Sequence, residues 1–439
     1  MAFRFDARDL VGPPYKPCPK CRAETFGVYH VGAQGYSRRC RECWHKGEFP
    51  LWPLSRKVIY IDQFAISNMM KALNAASPRH AAAAANPFWV TLFERLERVV
   101  KLQLAICPDS DVHRHESMVS GFFEPLKRMY EQFSHGVSFD STDQIAQRQL
   151  NTALLAWLAG EAPQYDFNPE RVTHAGLQEW KPNYIISVSG EYPASIVEGI
   201  RKFRDEVHAK VHSLFEEELR TTPNKDFKYW LDREREAGGR AIVQARQLYL
   251  QRMYEMATGI VPFSFENVYT SNGLDQFNLI AEALKARGTP ENELLPRLRA
   301  FLESDAFKDH PASRIATLIW AAIGQAAAGG QKEPPNAGMS NDIRVLTLLP
   351  FCDAMFVDNG CRALWEKVPR KYRPPYRARL FSYNTREQFL AYLQEIEDDG
   401  DLAILACVRD VYGEPRPFLT MYEYEERRRR ERAESDHVG

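Results

Sequence analysis

The sequence predicts an α/β protein with a central, mostly parallel sheet, broken by a large all-helical insertion and preceded by a small cysteine-bound module. Three observations carry this prediction. Apolar, β-branched runs alternate with amphipathic helical patterns across residues 56–120 and again across 336–410, the signature of a parallel sheet with crossover helices. Between them, over 121–335, apolar residues recur at helical spacing with few strand-like runs. Four of the eight cysteines fall in one N-terminal pattern, C-x2-C-x18-C-x2-C.

Composition agrees with a folded chain. Of the 439 residues, 44% are hydrophobic and 26% charged, with a formal net charge of −1. These values exclude global disorder and a uniformly basic coat for nucleic acid, though not a local basic patch. The N-terminus is charged where a signal peptide is apolar, and no apolar run approaches the ~20 residues that span a bilayer. The expectation is a soluble, cytoplasmic protein with no membrane partner.

The N-terminal module covers residues 1–55. Cys18 and Cys21 form one C-x2-C turn, and Cys40 and Cys43 form the other. Two such turns aim four thiolates at one point and complete a tetrahedron around Zn²⁺ with no open position. Gly27, Gly32 and Gly35 in the intervening stretch predict a short hairpin. The module resembles a zinc ribbon. Residues 1–57 hold 11 Lys/Arg against 5 Asp/Glu, and Arg38, Arg39, Arg41, Trp44, His45 and Lys46 crowd the second turn. Such a mixture suits phosphate contact with base stacking. It also suits a module whose metal simply replaces a core.

The first α/β segment opens with a strand over Arg56–Phe64 that carries Asp62. Helices are expected over Ser67–Ala76 and Pro87–Gln103, with a second strand at LAICP and a helix after it capped by Ser110 or Asp111. The insertion, 121–335, is expected to contain helices Asp143–Leu158, Ala194–Arg220, Phe227–Ala257, Gly273–Ala286, Glu291–Leu302 and Ala312–Ala328, and a lone strand Tyr184–Val188. Phe203, Val207, Val211, Leu214 and Phe215 mark an apolar seam on one of them. That seam closes internally, or pairs with a second copy to give a homodimer, or receives a regulatory protein. The second α/β segment, 336–410, reads as helix Asn341–Leu349, strand Ala354–Asp358, helix Gly360–Val368, strand Ala378–Tyr383 and helix Thr385–Ile396. The remainder, 411–439, reads as a charged tail.

Four acids occupy informative places: Asp62 and Asp358 at strand ends, Glu116 on the helix after the second strand, and Asp342 at a helix start. In a parallel sheet these positions converge on the carboxyl edge, where ligands bind. Carboxylates meeting there repel one another unless divalent cations such as Mg²⁺ or Mn²⁺ neutralise them. With Asn341–Asp342, the run CDAMFVDN and the closing RLFSYNTREQFLAYL, this pattern resembles the PIN-like nuclease domain. The resemblance spans about 57–120 and 336–410. It implies a three-layer α/β/α sandwich, metal-ligand and catalytic roles for Asp62, Glu116, Asp342 and Asp358, and Mg²⁺- or Mn²⁺-dependent cleavage of RNA. Standalone members often act in defence or toxin-like growth control. The chain departs from the pattern at Gln63 and Phe64, where a small hydroxyl residue is frequent, and at Val357, where Thr is frequent. Ser340, Asn341 and Asp353 are candidates for polar support.

Other motifs weigh less. His113 and His115 flank Glu116's helix start and suit a polar rim. The loop Lys367–Arg379 interleaves basic residues with tyrosines, so Arg370, Lys371, Tyr372, Arg373, Tyr376 and Arg377 are candidate substrate contacts. The expected function is a metal-dependent nuclease, chiefly an endoribonuclease. The competing class is a non-catalytic nucleic-acid-binding or scaffold protein.

Overall fold

In the N-terminal module, a computed structural model of the chain forms four antiparallel strands in sequence order: β1 (Gly12–Lys16), β2 (Phe26–Val31), β3 (Gly35–Cys40) and β4 (Lys46–Pro50). The structure describes residues 6–74, 80–120, 122–180, 226–264, 270–331 and 338–413, with scattered positions at 197–223 and 267–268. β2 and β3 make the expected hairpin, pairing Phe26 with Cys40 and Val31 with Tyr36. β1 crosses so close to Gly27 that a Cβ there would lie 2.3 Å from the Gly12 carbonyl oxygen, which leaves glycine as the residue that fits.

The α/β core begins with β5 (Lys57–Ile61), α1 (Gln63–Leu73), α2 (Pro87–Lys101) and β6 (Ala105–Ile106). It continues through α3 (Asp111–Val119), α4 (Phe123–Ser134) and the short β7 (Ser138–Phe139). The helical block follows as α5 (Thr142–Ala159), β8 (Thr173–His174, paired with β7), α6 (Phe227–Ala257), α7 (Asn272–Ala286), α8 (Glu291–Glu303) and α9 (Pro311–Ala328). The core is then completed by α10 (Met339–Leu346), β9 (Ala354–Phe356), α11 (Asn359–Lys367), β10 (Arg379–Phe381), α12 (Arg386–Asp398) and α13 (Leu402–Tyr412).

The sheet has the order β10-β9-β5-β6, all parallel, and a parallel bridge from Asp109 to Ser138 extends it toward β7. Both faces are buried, as a parallel sheet requires. Ile59, Ile61 and Phe356 point into one layer with α1, α2, α4, α12 and α13. Val58, Tyr60 and Met355 point into the other with residues of α9, α10 and α11 and with Phe227 and Trp230 of α6. The strand residues thus follow the period-2 alternation of a two-sided sheet.

Several expectations shift. The helix expected from Ser67 begins at Gln63, because Asp62 ends the strand and Ala65, Ile66, Met69 and Met70 form its buried stripe. The helix expected to run to Leu349 stops at Leu346, and a 3-10 turn over Leu349–Phe351 takes Pro350. The helices expected in the insertion, 121–335, do not all pack together. α4 packs on α1 and α3 inside the α/β layer, while α9 covers the sheet. A separate apolar core does lie within the block, built from Leu150, Leu154, Ile242, Leu284, Leu298 and Phe301. The strand expected at Tyr184–Val188 lies outside the described residues, as do Phe203, Val207, Val211 and Leu214. Phe215 is buried with the sheet's second layer. Of the expected tail, residues 414–439 are outside the described residues, and residues 411–412 instead end α13. No helix among the described residues is long and apolar enough to cross a membrane.

α13 anchors the N-terminal module. Arg38, 1% exposed, donates to the carbonyls of Pro14 (2.7 Å) and Phe26 (3.0 Å) and to that of Asp410. Lys16 pairs with the Asp410 carboxylate at 2.8 Å, and Tyr36, Leu51 and Leu54 join the first layer's core.

The α6–α9 contact gives a direct test of the packing. A Cβ on Gly324 would stand 2.4 Å from the Trp230 ring. Gly324→Ala should therefore cost about 1–3 kcal/mol by overpacking, measured as a lower urea midpoint with unchanged helical circular dichroism. An unchanged midpoint would show that the helices do not cross there.

Candidate functional site

β5 is the switch point of the sheet: the chain crosses from it to β6 on one side and returns much later to β9 on the other. Crevices that bind ligands form at the carboxyl ends of such strands. Asp62 directly follows β5, and Asp358 lies two residues past β9. Asp62 does not cap its own helix. Its Oδ2 instead accepts from the Asp358 backbone N–H at 3.3 Å. Asp358 does cap α11, through Oδ1 and the Cys361 N–H at 2.7 Å. Glu116 reaches in from α3 and Asp342 from α10, with Asn341 Nδ2 donating to Glu116 Oε1 at 2.8 Å. The structure thus brings together the four acids singled out from sequence, and Asn341 supports them.

The carboxylates act on one another. Burial, then the charges of Glu116, Asp358 and Asp342, push the Asp62 carboxyl well above its usual range. Burial, then Asp358 and Glu116, bring Asp342 up to about 8. Glu116 is raised chiefly by burial, with the Asn341 hydrogen bond working against the shift. No Lys, Arg or His among the described residues forms an ion pair with any of the four. The Cys361 thiol is buried in the same field and pushed well up, first by burial. Phe64, standing where a small hydroxyl was expected, stacks on Phe356 and meets Trp89 edge-on. The Oε1 atom of Gln63 is buried without a hydrogen-bond partner.

His113 is a core residue, not a rim residue. Its ring lies between those of Tyr60 and Tyr130, 4.7 Å from each centroid. Nδ1 accepts from the Ser110 N–H at 3.1 Å, so the proton sits on Nε2 and is donated to the Ile61 carbonyl at 2.8 Å. Burial lowers its pKa to about 4. Being neutral, it offers the acids no charge.

The basic loop is at the wrong edge for the acids. It leads from the C-terminus of α11 to the start of β10, and β10 is parallel to β9, so it sits at the amino edge of the sheet. Arg377 lies 3.7 Å from Asp353, which itself binds the Val58 N–H before β9 begins. Tyr372 packs on Phe227 and Tyr376 on Phe167. Arg373 donates to the carbonyls of Val368 and Glu366. Arg370 and Lys371 are exposed at that same edge. Arg370, Lys371, Tyr372, Arg373, Tyr376 and Arg377 therefore do not line the acidic site, and Asp353 does not support it. Loop position depends on strand direction, which composition does not reveal.

The second cluster is the four cysteines, whose sulfurs all lie within 4.8 Å of one another and can hold a metal ion such as zinc. Burial opposes the Cys40 thiolate, yet donors including the Cys43 N–H and the Thr25 hydroxyl bring it down to about 6. The Ala23 N–H favours the Cys21 thiolate, but the neighbouring sulfurs push it up to about 12. Nearby arginines serve the module itself: Arg38 as above, Arg41 on the Val11 carbonyl, and Arg39 over the Trp44 ring. Arg38 is thereby buried within the module, while half-buried Arg41 is bonded to the Val11 carbonyl. No family model, no curated protein and no solved structure matches this chain.

Two predictions follow from these clusters. Metal analysis should find about one zinc per chain, and Cys18→Ser/Cys21→Ser should abolish it, while retention of a full equivalent would refute the assignment. For Asp342, an unfolded Asp titrates near ~3.9 and the folded one near 8. The native state keeps a proton that the unfolded state has lost, so this stabilisation is full below the lower value and is lost as pH rises through the upper. Without added divalent cation, Asp342→Asn should raise the melting temperature over wild type more at pH 8.5 than at pH 5. An equal difference at both would contradict the shift.

Proposed function

We propose that the chain is a PIN-like nuclease that hydrolyses phosphodiester bonds using Mg²⁺ or Mn²⁺, with RNA favoured over DNA, and that its N-terminal module is a structural zinc ribbon. One observation carries the reading: four carboxylates, Asp62 and Asp342 buried and Glu116 and Asp358 half-buried, converge at the switch point of a parallel sheet with no cationic partner among the described residues. An all-oxygen donor set of this charge suits a hard divalent ion. The cysteines are the group whose donors lie within 4.8 Å of one another; the wider carboxylates suit an ion that keeps part of its water, or two ions.

A bound divalent ion would supply an activated water and stabilise the departing oxygen. The chain's own residues provide the rest. Asp62 and Asp358 are joined by the hydrogen bond from the Asp358 N–H and form one side of the site. Glu116 and Asp342, on two helices, form the other. Burial and the neighbouring carboxylates raise both the Asp62 and the Asp342 carboxyl, so their charged forms would gain from a cation. Exposed Asn359 and Asn384, linked by a 3.1 Å bond from the Asn384 N–H, flank Asp358 and offer polar contacts to a nucleic-acid backbone. The preference for RNA rests on the resemblance alone.

The test is cleavage of RNA, single-stranded DNA and double-stranded DNA with and without Mn²⁺. Wild type should cut RNA only with the metal. Asp62→Asn/Asp342→Asn should lose at least about 100-fold, or ~2.7 kcal/mol of barrier lowering. Equal cleavage by that variant would overturn the assignment. Metal-independent nucleic-acid binding without cleavage would favour the non-catalytic alternative.

A further inference from the structure

We infer that Arg344 and Asn341 are positioning residues that set the separation of Glu116 from Asp342, and that Thr142 ties this setting to the helical insertion. The inference rests on the nuclease reading above. Glu116 is carried by α3 and Asp342 by α10, and two side-chain bonds join these helices. Asn341 reaches Glu116 at 2.8 Å, and Arg344 Nη2 reaches Asp111 Oδ2 at 2.6 Å, five residues earlier on α3. The Arg344 and Asp111 side chains are 28% and 9% exposed. A charge-assisted bond so shielded from water is strong and directional.

The same carboxylate holds a third element. The Thr142 N–H and hydroxyl both donate to Asp111 Oδ2, at 3.3 and 3.2 Å, and the Thr142 oxygen accepts from Arg344 Nε at 3.0 Å. Thr142 opens α5, whose Leu150 and Leu154 belong to the insertion's own core. Asp111 therefore gathers α3, α5 and α10 at one point beside the acidic site. Arg344 pairs with none of the four acids; its cation is committed to Asp111, and only its field reaches Glu116. Its part is geometric. Without it, the bond from Asn341 is the one side-chain hydrogen bond left between α10 and α3 among the described residues, and the two helix-borne carboxylates lose part of what fixes their spacing. Partners of this kind around metal ligands typically account for 10–100-fold in affinity.

The experiment titrates Mn²⁺ into the full-length chain by calorimetry and follows amide exchange of α3 and α10 in metal-free protein. Arg344→Met and Asn341→Ala should each weaken Mn²⁺ binding by at least tenfold and speed exchange at both helices, with zinc content unchanged. Arg344→Lys should recover part of the loss. Thr142→Val, a milder change, should weaken binding by a smaller factor. Wild type that binds no Mn²⁺ would overturn the nuclease reading and this inference with it. Wild type that binds, together with folded Arg344→Met and Thr142→Val that bind equally well, would overturn the positioning role alone.

Discussion

Four carboxylates brought together at one edge of the sheet, two buried and two half-buried, are the constraint on which the rest of this structure depends. The sheet order makes their meeting unavoidable: with β5 between β6 and β9, Asp62 and Asp358 leave neighbouring strands at the same edge. Their repulsion is met only in part. Backbone N–H groups of Asp358 and Cys361 and the amide of Asn341 satisfy individual oxygens, but none of these brings a full positive charge. The floor beneath is correspondingly stiff. Phe64 and Phe389 stack on either side of the Phe356 contact network, and Trp89 stacks on Tyr383. Close-packed aromatic rings beneath the strand ends resist a movement of the acids apart.

The cysteine cluster obeys the same electrostatics at shorter range. Like donors crowd together, and their protonation is split, with Cys40 lowered and Cys21 raised. Sulfurs within 4.8 Å of one another make a closed, soft site, suited to holding a fold. The module is not an independent appendage. Arg38, two residues before Cys40, is buried against α13 through the Asp410 carbonyl, so the cysteine cluster and the packing of the last described helix are mechanically linked. This explains why a local surplus of arginines need not mark a nucleic-acid surface.

Where local chemistry decided the outcome, the sequence was informative. Asp226 caps a helix that runs Phe227–Ala257, as its periodicity predicts. Asp62, Glu116, Asp342 and Asp358 were identifiable because strand ends and helix starts are local signals that a parallel sheet converts into one place. What was not legible depended on partners distant in sequence. β7 is two residues long, so no alternation marks it, and it exists by pairing with β8, more than 30 residues on. The Lys367–Arg379 loop has a substrate-like composition, but strand direction sends it to the opposite edge. His113 reads as polar until Tyr60 and Tyr130 are seen to enclose it. Arg344 had no motif at all; its role comes from Asp111 and Thr142, more than 200 residues earlier.

The central claim is that the four carboxylates exist to hold divalent metal. The most direct measurement is anomalous diffraction from crystals of the full chain grown with Mn²⁺. The account predicts Mn²⁺ density between Asp62, Glu116, Asp342 and Asp358, with zinc at the four cysteines. Well-ordered carboxylates with no Mn²⁺ between them, at concentrations that saturate ordinary Mn²⁺ sites, would contradict it.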